Sequence, residues 1–272
     1  MSEIPCRIRF FPMRIQVGNF YGSYLRELRH LGERLGVQNA LSVWRSACAE
    51  YDEAFLISIL ASGWQQVEPD ETNAEDRIHD QIKEVFSATN LGLSIEEVRR
   101  VIENTPPVPQ IRKYFSNNTM EKEITAYEAL HIRFEGLAQL AELLIRKYGK
   151  QGELIVYDMN VAARLAASKG QTGSVEEFIE SFTAEADERN LFTAGLRTEL
   201  MCKSNRAVVV HIHVCEWARY FQERHPTVGY LMACSTDEVD YRAFNSSLRL
   251  QRTQTLMEGG EMCDFRIYAI DS

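Results

Sequence analysis

Residues 207–215 read AVVVHIHVC, a stretch in which apolar and polar side chains alternate. A period of two places successive side chains on opposite faces of a β-strand. The apolar face carries Val210, Ile212 and Val214. The other face carries His211 and His213, and also Cys215 if the alternation continues to the end of the stretch. A strand with two such faces is typical of an antiparallel sheet that covers a core on one side.

Three neighbouring stretches share this character, because they are rich in β-branched or aromatic residues and alternate in polarity. They are residues 190–201 (NLFTAGLRTELM), 247–256 (SLRLQRTQTL) and 262–270 (MCDFRIYAI). Two helices are expected between them, one over Glu216–His225 and a short one capped by Ser235 and Glu238. The pattern predicts an α+β fold, with a helical N-terminal half followed by a mainly antiparallel sheet flanked by helices.

The N-terminal half carries helical periodicity. Apolar residues recur at spacings of three and four from Phe20 to Leu35, and a second helix is expected from Gln38 to Ala61. The second helix is apolar on most sides, which is typical of a helix buried by its neighbours or by a second subunit. The sequence therefore raises the possibility of a homodimer.

The proline-rich segment from Asn104 to Met120 is the best candidate for a domain boundary, since its three prolines cannot continue a helix. We expect a helical region over residues 1–120 and an α+β domain over residues 121–272. Within the second part, an apolar stripe predicts a long helix that ends near Gly149, and residues 152–167 favour another helix. Capping-box patterns at Ser94 and Ser174 predict two further helix starts.

Composition limits the function classes. The 272-residue chain has a formal net charge of −9 and 45% hydrophobic residues, and its pI is near 5.3. An acidic chain is a poor ligand for nucleic acid or for an anionic membrane surface. The sequence has no apolar run of membrane-spanning length, and its six cysteines are too dispersed for the disulfide framework of a small secreted domain. We expect a cytoplasmic protein with reduced thiols.

Three cysteines near the C-terminus are candidates for chemistry. Cys215 is expected at the first turn of a helix, where the helix dipole lowers the pKa of a thiol, so it is either a nucleophile or a small core residue. Cys234 also precedes a helix, with Asp237 three residues later. Cys263 begins a strand in which Asp264 and Arg266 point to the opposite face.

The polar residues around these cysteines suggest two kinds of site. His211 and His213 could reach one metal ion from a single strand face, or they could form an ordinary hydrated strand face. Arg252 and Arg266 offer fork-like recognition of a carboxylate, or they are simply solvated.

The order of motifs in this region resembles that of the L-2-amino-thiazoline-4-carboxylic acid hydrolase family over about Ala126–Tyr268. The resemblance rests on four motifs in order. The first is a cysteine that opens a helix, Cys215, and the second is a Cys-x-x-Asp, Cys234 with Asp237. The third is a strand with Arg252 and Thr253, and the last is a closing Gly…Cys-Asp-Phe-Arg, formed by Gly259 or Gly260 with residues 263–266. The resemblance implies hydrolysis of a cyclic amidine, which in the founding activity gives N-carbamoyl-L-cysteine.

The hypothesis is therefore a hydrolase that acts on a carbon–nitrogen bond of a small cyclic amidine or amide. Cys234 or Cys263 would be the nucleophile and His213 the base, with Asp237 or Asp264 orienting it. Cys215, Arg252, Arg266 and His211 would bind the small-molecule substrate. We expect no cofactor; the alternative is zinc, with thiols as ligands. A non-catalytic module that senses a small molecule or a metal is the second hypothesis.

Overall fold

The structure is a computed structural model that describes residues 7–10, 13–61, 93–109, 122–181 and 195–271. Its helices are α1 (Met13–Leu35), α2 (Val37–Ala49), α3 (Glu53–Ala61), α4 (Ile95–Glu103), α5 (Ala126–Tyr148), α6 (Lys150–Ala167), α7 (Val175–Ser181), α8 (Glu216–Arg224) and α9 (Asp237–Phe244). Its strands are β1 (Arg7–Phe10), β2 (Lys122–Thr125), β3 (Leu196–Lys203), β4 (Ala207–Cys215), β5 (Leu248–Gln251) and β6 (Cys263–Ala269). In these ranges no helix has the length and apolar character needed to span a bilayer.

The chain divides into two compact units. The sheet unit comprises Met1–Ile8, Ile124–Leu130 and Val156–Ser272, and the helical unit comprises Arg9–Glu123 and His131–Ile155. Helices α5 and α6 each contribute to both units. The boundary predicted at residue 120 lies in the segment 110–121, outside the described residues, and it stays a prediction.

The helical unit is held by apolar packing with a few buried hydrogen bonds. The hydroxyl of Tyr24 donates to the carbonyl of Pro106 over 2.8 Å, and the indole N–H of Trp44 donates to the Thr105 hydroxyl over 2.8 Å. The rings of Tyr24 and Trp44 meet edge to face, with centroids 5.5 Å apart. These bonds connect α1 and α2 to the residues after α4, and they satisfy polar groups that would otherwise be costly to bury.

The helix expected from Gln38 to Ala61 is two helices, and the single-helix prediction is wrong. Helix α2 ends at Ala49 and α3 begins at Glu53. A carboxylate oxygen of Asp52 accepts the backbone N–H of Phe55 over 3.2 Å, so Asp52 caps the start of α3. Helix α2 buries one face only, through Ala40, Leu41, Val43, Trp44 and Ala47.

The sheet unit contains a four-stranded sheet in the order β3-β4-β6-β5, and every neighbouring pair is antiparallel. The α+β prediction is confirmed, and each of the four predicted strands is present, although the strand expected over residues 247–256 ends at Gln251. Residues 190–194 of the first predicted strand lie outside the described residues. Residues 152–167 are helical in α6, as expected.

The apolar face of the sheet carries the core of this unit. One cluster joins Val208, Val210 and Ile267 of the sheet to Phe178 and Ile179 of α7. A second cluster continues along the same face and contains Ile212, Cys263 and Phe265, with Tyr241 of α9 packed against it. The alternation in β4 and β6 therefore decides which side chains enter the core, and Cys263 is one of them.

Candidate active site

The three candidate cysteines come from three elements of the sheet unit. Cys215 ends β4 and is the N-cap residue of α8. Cys234 ends a π-helical turn, Tyr230–Cys234, that follows α8, and Cys263 begins β6. All cysteines in the described ranges are free thiols.

The Cys215 side chain lies on the core face of the sheet. The pairing of β3 with β4 skips His213, which forms a β-bulge, and a bulge interrupts the alternation of side chains along a strand. As a result Cys215 packs against the buried Ile212 and Cys263. The expectation that Cys215 shares a face with His211 and His213 is therefore wrong.

The helix-start position of Cys215 is as predicted, but its acidity is not. The sulfur accepts the backbone N–H of Ala218 over 3.4 Å at the first turn of α8. Burial raises the pKa of the Cys215 thiol to about 12, and the hydrogen bond from Ala218 offsets only part of this rise. Cys215 is therefore a protonated thiol at neutral pH.

The π-helical turn carries Cys234, and such turns recur at functional sites. Its end is closed by Ser235, whose hydroxyl donates to the carbonyl of Leu231 over 2.6 Å. Because this hydroxyl bonds back into the turn, it does not cap the next helix, and α9 begins at Asp237 with Thr236 as N-cap residue. The predicted capping box of Ser235 and Glu238 is wrong.

The carboxylate of Asp237 bridges two guanidinium groups. Its Oδ1 accepts from Nη2 of Arg164 over 3.3 Å, and its Oδ2 accepts from Nη1 of Arg252 over 2.7 Å. The Asp237 side chain is only 16% exposed. Burial raises the pKa of this carboxyl, and the two guanidinium groups oppose the shift without reversing it. A buried carboxyl whose pKa is raised holds a proton more readily than an exposed one, which suits it to proton transfer.

Arg252 connects Asp237 to the π-helical turn. Its Nη2 donates to the carbonyl of Cys234 over 2.7 Å and to the hydroxyl of Tyr230 over 3.2 Å. The guanidinium carbon lies 5.4 Å from the ring centroid of Tyr230 and 5.3 Å from that of Phe265, within the range in which aromatic faces stabilise a cation. Burial acts to lower the pKa of Arg252, but Asp237 and Tyr230 outweigh it and raise the pKa, so the group stays charged.

Asp237 acts on the pKa values of all three thiols, and Arg252 acts on those of Cys234 and Cys263, so these charged groups lie close enough to the sulfur atoms to interact with them. Burial is the largest cause of the raised pKa at both Cys234 and Cys263. Asp237 adds to the rise at both thiols, whereas Arg252 lowers both pKa values. Cys215 and Cys263 contribute further to the raised pKa of Cys234. We call these five residues, Cys215, Cys234, Cys263, Asp237 and Arg252, the thiol site.

The two histidines lie on the other face of the sheet. Nε2 of His213 is 2.9 Å from a carboxylate oxygen of Glu199 on β3, and the His213 side chain is 35% exposed. The ring centroids of His211 and His213 are 6.2 Å apart. His211 pairs in register with Asp264 of β6. The sheet therefore separates both imidazoles from the core-facing sulfur of Cys263.

Asp264 anchors the turn after β5. Its carboxylate accepts the Thr253 hydroxyl over 2.6 Å and the backbone N–H groups of Thr253 and Gln254 over 2.9 and 2.8 Å. Burial acts to raise the pKa of Asp264, but these hydrogen bonds outweigh it and lower the pKa. The same bonds explain why β5 stops at Gln251, since the amides that would continue the strand are bound to Asp264.

Arg266 points outward from the same face as Asp264. Its guanidinium carbon lies 5.5 Å from the Tyr268 ring centroid. The structure therefore brings together five of the predicted site residues, which form the thiol site. It places the other four on the opposite face of the sheet: His211, His213, Asp264 and Arg266.

Sequence reasoning missed Arg164 and Tyr230, which both contact this site. Arg164 lies on α6 and bonds to Asp237, and Tyr230 bonds to Arg252. A signal for Arg164 was present, because Asn160 and Arg164 are polar residues four positions apart in a part of α6 that is otherwise apolar after Asp158. In the part of the chain that the structure describes, no group of three or more His, Cys, Asp or Glu side chains is arranged to hold a metal ion.

Gly229 fixes the approach of the π-helical turn to α8. A Cβ atom there would lie 2.7 Å from Sδ of Met257 and 2.8 Å from Cβ of Phe221. The sulfur can swing away, but Phe221 Cβ is tied to the backbone of α8. Gly229→Ala is therefore expected to lower the free energy of unfolding by about 1–3 kcal/mol, the usual cost of overpacking. Urea unfolding of the variant and the wild type measures this difference in free energy.

Gly136→Ala in α5 is the matched control. Its added Cβ would come no closer than 3.4 Å to the Pro106 carbonyl oxygen, an ordinary contact. Removing a helical glycine without a clash should leave stability unchanged or raise it by up to about 1 kcal/mol. A Gly229→Ala protein as stable as Gly136→Ala would contradict the tight packing of the π-helical turn on α8.

The fold and the site define a class of protein: an α+β domain with a helix-flanked antiparallel sheet and a buried cysteine, aspartate and arginine site beside its core face. The model of the L-2-amino-thiazoline-4-carboxylic acid hydrolase family matches residues 118–267, which is more than half of the chain and contains the whole thiol site. The chain belongs to this family, as its sequence motifs indicated. The comparisons with curated proteins and with solved structures found no match.

Proposed function

We propose that this protein hydrolyses a carbon–nitrogen bond in a small cyclic amidine or amide that carries a carboxylate, similar to L-2-amino-thiazoline-4-carboxylate. The family name is that of a hydrolase with such a substrate. The observation that carries the proposal is the buried Asp237, held by Arg252 beside three thiols within the matched region. Such a site combines a proton carrier, a cation and nucleophilic sulfur atoms.

The proposed reaction needs a nucleophile that attacks an sp² carbon and a proton for the departing nitrogen. The sulfur of Cys234 or Cys263 forms a bond to the amidine carbon, and its proton passes to Asp237. The bond from that carbon to a ring heteroatom then breaks, and the departing atom takes that proton: nitrogen in a cyclic amidine or lactam, or the ring sulfur where an amino-thiazoline gives an N-carbamoyl cysteine. Water attacks the thiol-bound carbon and releases the sulfur, which regains a proton. The balance is the addition of one water molecule.

Asp237 supports this scheme better than His213 as the proton carrier. The thiols have raised pKa values, so a base must remove the proton during attack, and Asp237 influences the titration of both Cys234 and Cys263. His213 bonds to Glu199 on the opposite face of the sheet. Charged Arg252 is suited to stabilise negative charge that develops on the substrate.

The test is an assay of the purified protein against a panel of cyclic amidines and lactams, with and without a ring carboxylate. We expect turnover of a carboxylated amidine, and a loss of kcat of at least about a thousandfold when the nucleophilic cysteine, Cys234 or Cys263, is replaced by Ser. Each replacement should cost only about 1 kcal/mol of stability.

Cys202→Ser is the control, because Cys202 is an exposed thiol on β3 outside the thiol site. It should keep full activity. A folded wild-type protein that turns over no member of the panel would count against the proposal, as would full activity in both the Cys234→Ser and the Cys263→Ser proteins. Zinc determination on the same sample separates a sulfur nucleophile from metal-bound water, since stoichiometric zinc would make the thiols ligands.

A further inference from the structure

One face of α6 is directed at the segment that carries Cys234 and Asp237. Asn160 and Arg164 lie one turn apart on the same side of α6, and Ser168 follows at the same interval directly after the helix ends at Ala167. Asn160 donates to the carbonyl of Leu231 over 3.0 Å, in the π-helical turn. Ser168 donates to a carboxylate oxygen of Asp240 over 3.4 Å, in α9.

Arg164 is the centre of this stripe. Its Nη2 donates to the carbonyl of Ala233 over 2.9 Å and to Oδ1 of Asp237 over 3.3 Å, and its Nη1 donates to Oδ2 of Asp240. The Arg164 side chain is 23% exposed. One planar guanidinium therefore bonds to the end of the π-helical turn and to two carboxylates of the following helix.

Arg252 repeats this pattern from the opposite side. It bonds to the carbonyl of Cys234 and to Oδ2 of Asp237. The two guanidinium groups thus donate to both oxygens of the Asp237 carboxylate and to two consecutive carbonyls, those of Ala233 and Cys234. Carbonyls at the end of a helical element lack partners within it, and arginine is suited to satisfy them.

We propose that Arg164 is a positioning residue that holds Cys234 and Asp237 in a fixed relation to each other. Its catalytic meaning rests on the proposed hydrolase function. A guanidinium is required, because its forked N–H groups reach acceptors in three directions of one plane, whereas a lysine ammonium on a flexible stem has no such fixed fork. Arg164 therefore affects the reaction through the positions of Cys234 and Asp237.

The experiment measures how fast iodoacetamide alkylates each cysteine at fixed pH, by mass spectrometry, in wild type, Arg164→Gln and Arg164→Lys. It needs no substrate, so it stands even if the proposed function fails. Both variants should alkylate Cys234 about ten- to a hundredfold faster than wild type, the size expected when charge-assisted hydrogen bonds are lost. Exposed Cys202 is the internal reference and should keep its rate.

The alkylation rate of Cys263 distinguishes a positioning role of Arg164 from a general effect of Arg164 on the stability of the fold. If Arg164 only stabilised the fold, its loss would accelerate alkylation at Cys263 as much as at Cys234, whereas we expect the acceleration at Cys234 alone. Arg206→Gln is the matched control, because Arg206 forms an exposed ion pair with Asp271 in the same unit. That variant should match wild type at every cysteine.

Three results would overturn the proposal: an unchanged Cys234 rate in folded Arg164→Gln, a wild-type rate in Arg164→Lys, or equal acceleration at Cys263. If Arg164→Gln does not fold, Asn160→Ala replaces it. That variant removes only the bond to Leu231 and should accelerate alkylation of Cys234 by a smaller factor, and no acceleration would equally overturn the proposal.

Once a substrate is known, Arg164→Lys should lower kcat with little change in KM.

Discussion

Replacing Asp237 by Asn is expected to abolish turnover and to lower the free energy of unfolding by about 1–3 kcal/mol, the size of the charge-assisted hydrogen bonds that are lost. The substitution keeps the shape of the side chain but removes the charge that Arg164 and Arg252 share. The guanidinium of Arg252 then loses its carboxylate partner, whereas Arg164 keeps Asp240. Because burial already opposes the charge of Asp237 and raises its pKa, the expected loss is that of the charge-assisted hydrogen bonds and not of a whole buried ion pair. Urea unfolding and the substrate assay measure the two effects separately.

Asp271→Asn is the control for this prediction. Asp271 pairs with Arg206 over 2.7 Å, but its side chain is 91% exposed, and such surface pairs contribute about 0–1 kcal/mol. Its loss should leave both stability and activity near wild type. An Asp237→Asn protein that unfolds at the same urea concentration as Asp271→Asn would contradict the central role of the Asp237 carboxylate.

Glu27→Gln is expected to stabilise the protein at alkaline pH. Glu27 lies in α1 at 5% exposure among buried apolar residues. Burial raises the pKa of its carboxyl from 4.5 to about 8, and Arg26 opposes the shift only in part. The folded protein therefore keeps a proton that the unfolded chain releases above pH 4.5, and the stability of the wild type falls as the pH rises from about 4.5 to 8.

A shift of this size corresponds to roughly 5 kcal/mol when the carboxyl is fully ionised in the unfolded chain. The amide of the Glu27→Gln variant does not titrate, so the variant should exceed the wild type by about 3–5 kcal/mol at about pH 8 and match it near pH 4. Urea unfolding at several pH values checks both limits. Glu33→Gln, at a half-exposed position of the same helix, should keep the wild-type dependence on pH. Parallel curves for Glu27→Gln and wild type would contradict the prediction.

The helices and strands that were predicted correctly depend on local signals. The capping boxes at Ser94 and Ser174 formed because each hydroxyl lies three residues before a glutamate on the same chain. The four strands of the sheet formed where apolar and polar residues alternate. The family resemblance was also local, since it depended on short motifs that the family model matched.

The wrong predictions arose where a second partner competes with the local signal. Ser235 is in sequence a good cap for α9, but its hydroxyl bonds to Leu231 in the preceding turn. Asp52 starts a new helix inside a run that is apolar enough to continue the old one. His213 forms a bulge because of its pairing with β3, and no property of residues 207–215 alone indicates it.

The alternation in β4 and β6 specified that Cys263 would face the core and that His211, His213 and Asp264 would face away, because the side-chain period of a strand is set by its backbone geometry. The composition of the thiol site needed the folded chain. Arg164 lies 73 residues before Asp237, and only the packing of α6 beside the π-helical turn brings them into contact. Burial, which raises the pKa values of the thiols and of Asp237, is likewise a property of the packed unit, because it depends on how much water the neighbouring elements exclude.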